Sequence, residues 1–263
     1  SVCLDCLIYI LKLCYIVMSI VQKFLEFKKA DLSPIKSFKI QNDLNDKVWN
    51  GFEMKEDIKE QLLHIAADFF GSLELETEVK DIILTGSLAN YNWSKYSDYD
   101  IHIIINFKEV NDDIKLVKKY VDAVKINWNK DHDITIQGYE VEVYIQDTDE
   151  EHRSSGVFSL LNNKWKIKPK KVEVSIDEQT IKDKAESIMK RIDDLETDYN
   201  EVEYDIFKEQ ISKLWEKIKR TRKDGIEEGE FGIGNLVFKL LRRNNYINKI
   251  ITLKRKSYDK QFK

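Results

Sequence analysis

Hydrophobic and polar positions in the first half of the chain switch between a helical and an extended period. Apolar residues recur every three or four positions over 48–70 and again over 110–128, which predicts two amphipathic helices. Residues 81–85 form a short apolar run and residues 99–107 are rich in isoleucine, so both segments are predicted to be strands. Alternation over 134–145, around a Gln-Gly pair, predicts a hairpin. The first half therefore combines strands with helices.

The second half carries only the helical period. Three amphipathic segments, 176–195, 206–218 and 236–251, follow one another with no strand pattern between them. Strands followed by a run of helices predict an α+β fold with a helical C-terminal part. We place the two predicted domains at 45–170 and 171–263.

Residues 1–21 form a hydrophobic N-terminal segment that is interrupted by Asp5 and Lys12. The segment is long enough for a membrane helix, but a charge at the centre of such a helix costs about 2.5–3.5 kcal/mol on insertion. Two interpretations stay open. The segment is either an anchor or a buried helix, or it is upstream sequence read in frame, with Met18 as the true start. A membrane partner is expected only if the segment is genuine.

The three cysteines all lie before residue 15, so the remainder of the chain has no residue that could form a disulfide. Cys3 and Cys6 form a C-x-x-C pair, but no second pair follows at the spacing of a zinc site. This cysteine usage is typical of proteins in a reducing compartment. The sequence therefore predicts a cytoplasmic protein.

The net charge of −4 hides an uneven distribution. Residues 217–263 contain fourteen Lys and Arg against five Asp and Glu, whereas the rest of the chain is acidic. A basic segment on an acidic body indicates either a surface for RNA or phosphate, or a solvated helical face.

The segment that carries chemistry is 84–107, LTGSLANYNWSKYSDYDIHIIINF. Asp98 and Asp100 stand at i and i+2 at the head of a predicted strand, so both carboxylates point to one face. Their charges repel each other and call for a cation, and Mg²⁺ prefers such oxygen ligands together with substrate phosphates. Gly86 and Ser87 form a turn, predicted to open a short helix, that can hold phosphate oxygens. Together these features indicate metal-assisted phosphoryl transfer from a nucleoside triphosphate.

A two-metal mechanism places the ions about 3.5–4 Å apart, and two aspartates rarely suffice to hold them. A third carboxylate is therefore expected from a neighbouring strand. Glu142 is our first candidate, and Glu140 on the same face is the alternative. We expect two Mg²⁺ ions, which Mn²⁺ could replace.

The pattern Gly-Ser, nine residues, then Ser-Asp-x-Asp and a later acidic strand resembles the nucleotidyltransferase superfamily of DNA polymerase β. The segments EHRSSGVFSLLNNKW and FGIGNLVFKLLRRNNYI are similar to small nucleotidyltransferase-domain proteins encoded by bacteriophages. The third acid is Glu where Asp is commoner, and His102 follows the aspartates on the strand face.

The resemblance implies a mixed sheet with helices, Mg²⁺ dependence, binding of a nucleotide such as ATP, and transfer of a nucleoside monophosphate with release of pyrophosphate. It implies metal-binding and catalytic roles for Asp98, Asp100 and Glu142, and binding of the β- and γ-phosphates by Gly86 and Ser87. A phage-encoded protein would act in the host cytoplasm.

Two further clusters lie near this motif. The first cluster follows the acidic strand and comprises His152, Arg153, Ser154 and Ser155. It either binds the triphosphate or the acceptor, or it is an ordinary loop. Arg153 and Ser155 are our candidates for nucleotide binding. The second cluster is aromatic and comprises Tyr91, Trp93 and Tyr96. These rings can stack on a nucleobase or cover the edge of the sheet.

The acceptor stays open at this point. An RNA 3′ end, a protein hydroxyl, a small molecule and a second nucleotide are all compatible with the motif, and the basic C-terminal helices favour RNA. The alternative function is that of a catalytically degenerate nucleotide-binding or antitoxin-like interaction module.

Overall fold

The computed structural model describes residues 31–152, 154–199 and 201–262. The chain folds into two compact units. One unit spans Lys36–Asp177, and the other comprises the chain from Glu178 together with the few described residues before Lys36. The division falls after Asp177, and the boundary predicted from sequence lies near residue 170. The segment 1–21 lies outside the described residues.

The first unit contains a mixed six-stranded sheet, a two-stranded hairpin and three helices. A 3-10 helix at Ser33–Ser37 precedes the hairpin and a second one, Ser87–Ala89, follows β3. The other elements are, in chain order, β1 (Trp49–Asn50), β2 (Glu53–Met54), α1 (Glu56–Ser72), β3 (Val79–Thr85), β4 (Asp98–Ile105), α2 (Phe107–Val110), α3 (Ile114–Asp131), β5 (Thr135–Ile136), β6 (Tyr139–Asp147), β7 (Val157–Ser159) and β8 (Lys164–Ile167).

The predicted α+β fold is confirmed, and its sheet is mixed. The strand order is β5-β6-β4-β3-β7-β8. All neighbours are antiparallel except β4 and β6, which run parallel and are joined through α2 and α3. The parallel pairing places the first residues of β4 beside the first residues of β6, although they are far apart in sequence.

Alternation along β4 separates a core face from a polar face. Tyr99, Ile101 and Ile103 are fully buried in one cluster with the apolar stripes of α1 and α3, so both long helices cover that face. The opposite face carries Asp98, Asp100 and His102, each only partly buried. α1 and α3 thus cover the face of the sheet opposite to Asp98, Asp100 and His102.

The predicted helix over 48–70 starts eight residues late. Residues before Glu56 form the β1–β2 hairpin, in which Trp49 pairs with Met54 and Gly51 takes a positive φ of 62°. The apolar spacing was misleading there because Trp49 and Met54 are buried from a hairpin instead of a helix.

The second unit is helical in the part of the chain that the structure describes. Its helices are α4 (Glu178–Asp198), α5 (Tyr204–Glu227), α6 (Ile233–Arg243) and α7 (Tyr246–Lys260). The segment predicted as one helix over 236–251 is two, because Asn245 adopts the left-handed conformation with φ of 64°. No helix among the described residues combines the length and apolarity needed to cross a lipid bilayer.

Candidate metal centre and adjoining cavity

The parallel pairing of β4 with β6 brings three carboxylates together. Asp100 stands directly opposite Glu142 in the register, and Asp98 precedes Asp100 on the same face. Each of the three side chains is partly buried and offers a carboxylate oxygen, and these oxygens lie within 4.8 Å of one another. Such a group of hard oxygen donors can hold a metal ion.

Glu140 occupies a different position from Glu142. The register places Glu140 opposite Asp98, but it is exposed next to the β5–β6 turn. Among the described residues, the carboxylates within metal-binding distance of Asp98 and Asp100 do not include Glu140. The geometry therefore favours Glu142 over Glu140 as the third metal-binding carboxylate.

Gly86 touches this cluster through its backbone. It follows β3 with a positive φ of 74°, and a Cβ atom built on it would lie 1.9 Å from Oδ2 of Asp100. Only glycine tolerates both the conformation and the close approach. The Gly86 backbone therefore forms one wall of the carboxylate site.

Ser87 connects the same turn to the head of β4. Its hydroxyl donates a hydrogen bond to Oγ of Ser97, at 2.7 Å, and Ser97 directly precedes Asp98. The helix that was expected to start here is a single 3-10 turn, Ser87–Ala89. The turn thus lacks the aligned dipoles of a longer helix, and its contribution to the site is its close position beside Asp98 and Asp100.

Tyr144 holds the third carboxylate. Its hydroxyl donates a hydrogen bond to Oε2 of Glu142. Its ring lies 4.9 Å from the His102 ring, and Nζ of Lys125 lies 4.6 Å from the Tyr144 ring centroid. Burial, followed by the bond to Glu142, raises the pKa of Tyr144, so the phenol keeps the proton that it donates.

Replacing Tyr144 by Phe tests this contact. Tyr144→Phe removes only the hydroxyl, and loss of a hydrogen-bond partner behind a metal ligand typically lowers metal affinity by 10- to 100-fold. We expect a loss of about tenfold in Mn²⁺ affinity, measured by electron paramagnetic resonance titration. Tyr120→Phe is the matched control because the Tyr120 hydroxyl donates to the Leu73 carbonyl, away from the carboxylates. Equal Mn²⁺ affinity in the wild type and Tyr144→Phe would show that the contact does not position Glu142.

Two histidines lie on the same face and are linked through Gln146. Nδ1 of His102 is 2.8 Å from Oε1 of Gln146, and Nε2 of Gln146 lies 3.3 Å from Nδ1 of His152 and donates to the Glu150 carbonyl at 3.1 Å. Burial is the main cause that lowers the pKa of both imidazoles, so both are neutral near pH 7.

A cavity of about 580 Å³ opens beside these histidines. Thr85, which pairs with Asp100 across β3 and β4, lies at its border with the carboxylates. The lining consists of Thr85, His102, Gln146, Glu150, Glu151, His152 and Ser154.

The loop after β6 contacts the Gly-Ser turn. Asn90 donates a hydrogen bond from Nδ2 to Oγ of Ser155, and a Cβ atom on Gly156 would lie 2.0 Å from the Ala89 carbonyl oxygen. This places Ser155 close to the predicted phosphate-binding turn. Arg153 lies outside the described residues.

The aromatic residues between the turn and β4 pack chiefly against the protein. Tyr91 is buried in the core cluster, and the Trp93 indole packs against that cluster and donates to the Asp43 carbonyl at 2.9 Å. Tyr96 is partly buried, with Nζ of Lys95 4.9 Å from its ring centroid. Tyr91 and Trp93 therefore pack against the core, and a role in stacking a nucleobase or covering the sheet edge stays a prediction from the sequence.

Thr85, Tyr144 and Gln146 were not identified from the sequence, although a signal for two of them exists. Tyr144 and Gln146 follow Glu142 at i+2 and i+4 on one strand, so alternation alone places them on the face of Glu142.

No family model, curated protein or solved structure matches this chain.

Proposed function

We propose that this chain is a Mg²⁺-dependent nucleotidyltransferase whose first unit has the polymerase-β-like fold. The observation that carries the proposal is the convergence of Asp98, Asp100 and Glu142 on a parallel strand pair, with the Gly86-Ser87 turn against them. The order of these residues along the chain agrees with the resemblance drawn from the sequence.

The donor set fits a hard divalent cation. Three carboxylates with oxygens within 4.8 Å of one another repel unless positive charge lies between them. Partial burial leaves the cluster accessible to a substrate, as Mg²⁺ requires because it shares its coordination shell with phosphate oxygens. When bound, Mg²⁺ or Mn²⁺ would neutralise the charge that develops on the attacking and leaving oxygens.

Each residue then has a role in the transfer. Asp98 and Asp100 would hold both ions, and Glu142 would hold one. An acceptor hydroxyl oxygen forms a bond to the α-phosphorus, the bond from that phosphorus to the bridging oxygen breaks, and pyrophosphate leaves with the electron pair. The hydroxyl proton passes to the Glu142 carboxylate. Such chemistry depends mainly on positioning and electrostatic stabilisation.

The turn would hold the outer phosphates. Gly86 lies against Asp100 and Ser87 is bonded to Ser97, so β- and γ-phosphates bound at this turn would lie beside the carboxylates. Ser155 accepts a hydrogen bond from Asn90 and would extend the phosphate-binding surface of this turn. For Arg153 the nucleotide-binding role stays a prediction from the sequence.

A matched pair of variants tests the role of the third carboxylate. Glu142→Gln and Glu140→Gln make the same chemical change at neighbouring positions on one strand face. With each ribonucleoside triphosphate labelled at the α-phosphate, Mg²⁺ and cell extract as the source of acceptors, we expect Glu142→Gln to lose at least a hundredfold in transfer rate, about 2.7 kcal/mol. Glu140→Gln should keep the rate of the wild type.

Two results would contradict this assignment. The reverse order of the two variants would make Glu140 the ligand. Absence of transfer by the wild type, with Mn²⁺ and nucleotide binding retained, would instead favour the degenerate nucleotide-binding module.

A further inference from the structure

A cavity adjoins the carboxylate triad on the polar face of the sheet. Thr85 lines the cavity and pairs with Asp100, and His102 follows Asp100 at i+2 on the same face. A group held in the cavity is therefore next to the carboxylates. The volume of about 580 Å³ lies within the range of about 300–1,000 Å³ for small-molecule sites.

The hydrogen bonds around Gln146 fix what the two histidines offer. The Glu150 carbonyl can only accept, so Nε2 of Gln146 faces it and Oε1 faces His102. Nδ1 of His102 is then the donor, and Nδ1 of His152 accepts from Gln146. Because Nδ1 of His152 accepts, that ring carries its proton on Nε2. The cavity wall thus offers the Nε2–H of His152 as a ring donor, beside the ring of His102.

The rest of the lining consists mainly of hydrogen-bond acceptors. Glu150 and Glu151 contribute carboxylates, and Oε1 of Glu150 accepts from Nζ of Lys118 at 3.1 Å. Thr85 and Ser154 contribute hydroxyls, of which Ser154 already donates to the Gly156 carbonyl at 2.9 Å. A neutral ligand rich in O–H groups, which both donate and accept, would satisfy this wall.

The lining of this cavity is poorly suited to binding a nucleobase. Among the described residues that line it there is no tryptophan, tyrosine, phenylalanine or aliphatic side chain. The ring of His102 packs instead against Tyr144, at 4.9 Å. Proteins that hold a base usually stack it on such a surface.

We propose that this cavity binds the acceptor, and that the acceptor is a small uncharged polyol of the sugar class. This inference rests on the proposed function for the transfer step itself, in which one polyol hydroxyl oxygen bonds to the α-phosphorus as pyrophosphate leaves and the proton passes to Glu142. The binding step does not depend on it. The polyol hydroxyls donate to Glu150 and Glu151 and exchange hydrogen bonds with His102 and His152.

The test is saturation-transfer NMR on the full chain without metal or nucleotide. One probe mixture contains glucose, galactose, mannose, ribose and maltose, and a second contains glucose 6-phosphate and ribose 5-phosphate. We expect signal from at least one sugar of the first mixture and none from the phosphates. Gln146→Leu and His152→Phe, which keep side-chain bulk and remove the polar atoms, should reduce the signal to background. Gln179→Leu is the control because Gln179 is exposed on α4, where its Nε2 donates to Oδ1 of Asp183 at 2.7 Å.

The outcomes separate this inference from the proposed function. Sugar binding that both cavity variants abolish supports the inference even if no nucleotidyl transfer is detected. Transfer to RNA or protein, with no sugar signal, overturns the inference and leaves the proposed function standing. Preference for the phosphates, or a signal unchanged in the variants, also overturns it. If Gln146→Leu does not fold, His152→Phe decides, since His152 is only partly buried in a loop.

Discussion

Asp100→Asn is expected to abolish nucleotidyl transfer without destabilising the protein. Asn keeps the size of the side chain and one oxygen, so packing at the head of β4 changes little. The substitution removes a charge that the proposed site uses to hold divalent cations, a loss worth several kcal/mol and hence about a thousandfold or more in rate. The repulsion from Asp98 and Glu142 is relieved at the same time, so the thermal midpoint without metal should stay the same or rise.

The measurement combines a thermal melt of the metal-free protein with a transfer assay in Mg²⁺. Asp133→Asn is the control, because Asp133 is exposed in the loop between α3 and β5. Retained activity in Asp100→Asn, or a large drop in its midpoint, would mean that Asp100 is structural.

Gly86→Ala is expected to impair metal binding through a clash with Asp100, in addition to the cost of the backbone conformation. The new Cβ would lie 1.9 Å from Oδ2 of Asp100 and 2.9 Å from its Cγ, so the carboxylate must move. The backbone conformation of Gly86, with φ of 74° and ψ of −159°, adds about 1–3 kcal/mol for a residue with a Cβ. We expect Mn²⁺ affinity and transfer to fall by at least tenfold, as for displacement of a metal ligand.

Gly51→Ala separates the clash from the conformational cost. Gly51 also has a positive φ, of 62°, but a Cβ there meets nothing within 4 Å. Both variants should lower the free energy of unfolding in urea titrations, Gly51→Ala through its positive φ alone, and only Gly86→Ala should lose metal binding. Wild-type Mn²⁺ affinity in Gly86→Ala would refute a metal site at Asp100.

Local patterns in the sequence predicted the strands that carry the site. The isoleucines after Asp100 predict β4, and the spacing of Asp98 and Asp100 predicts that they share a face. Alternation also placed Glu140 and Glu142 together. It could not choose between them, because the choice depends on the register between β4 and β6, which α2 and α3 and the core packing determine.

Other features depend on contacts that no local pattern reveals. β7 has three residues and β8 four, too short for a periodic signal, and β8 carries lysines at two of its positions. The break at Asn245 depends on a single left-handed residue within a continuous apolar pattern. The link from His102 through Gln146 to His152 brings a loop residue onto the sheet face, which only the folded chain shows.

Labelling the triphosphate at two positions tests the central claim most directly. Wild type and Asp100→Asn are incubated with Mg²⁺, cell extract and a nucleoside triphosphate labelled at either the α- or the γ-phosphorus. Our account predicts that the wild type moves the α-label to an acceptor and releases the γ-label only in pyrophosphate, and that Asp100→Asn does neither. Transfer of the γ-label to an acceptor, or no transfer of the α-label from any of the four ribonucleoside triphosphates, would contradict it.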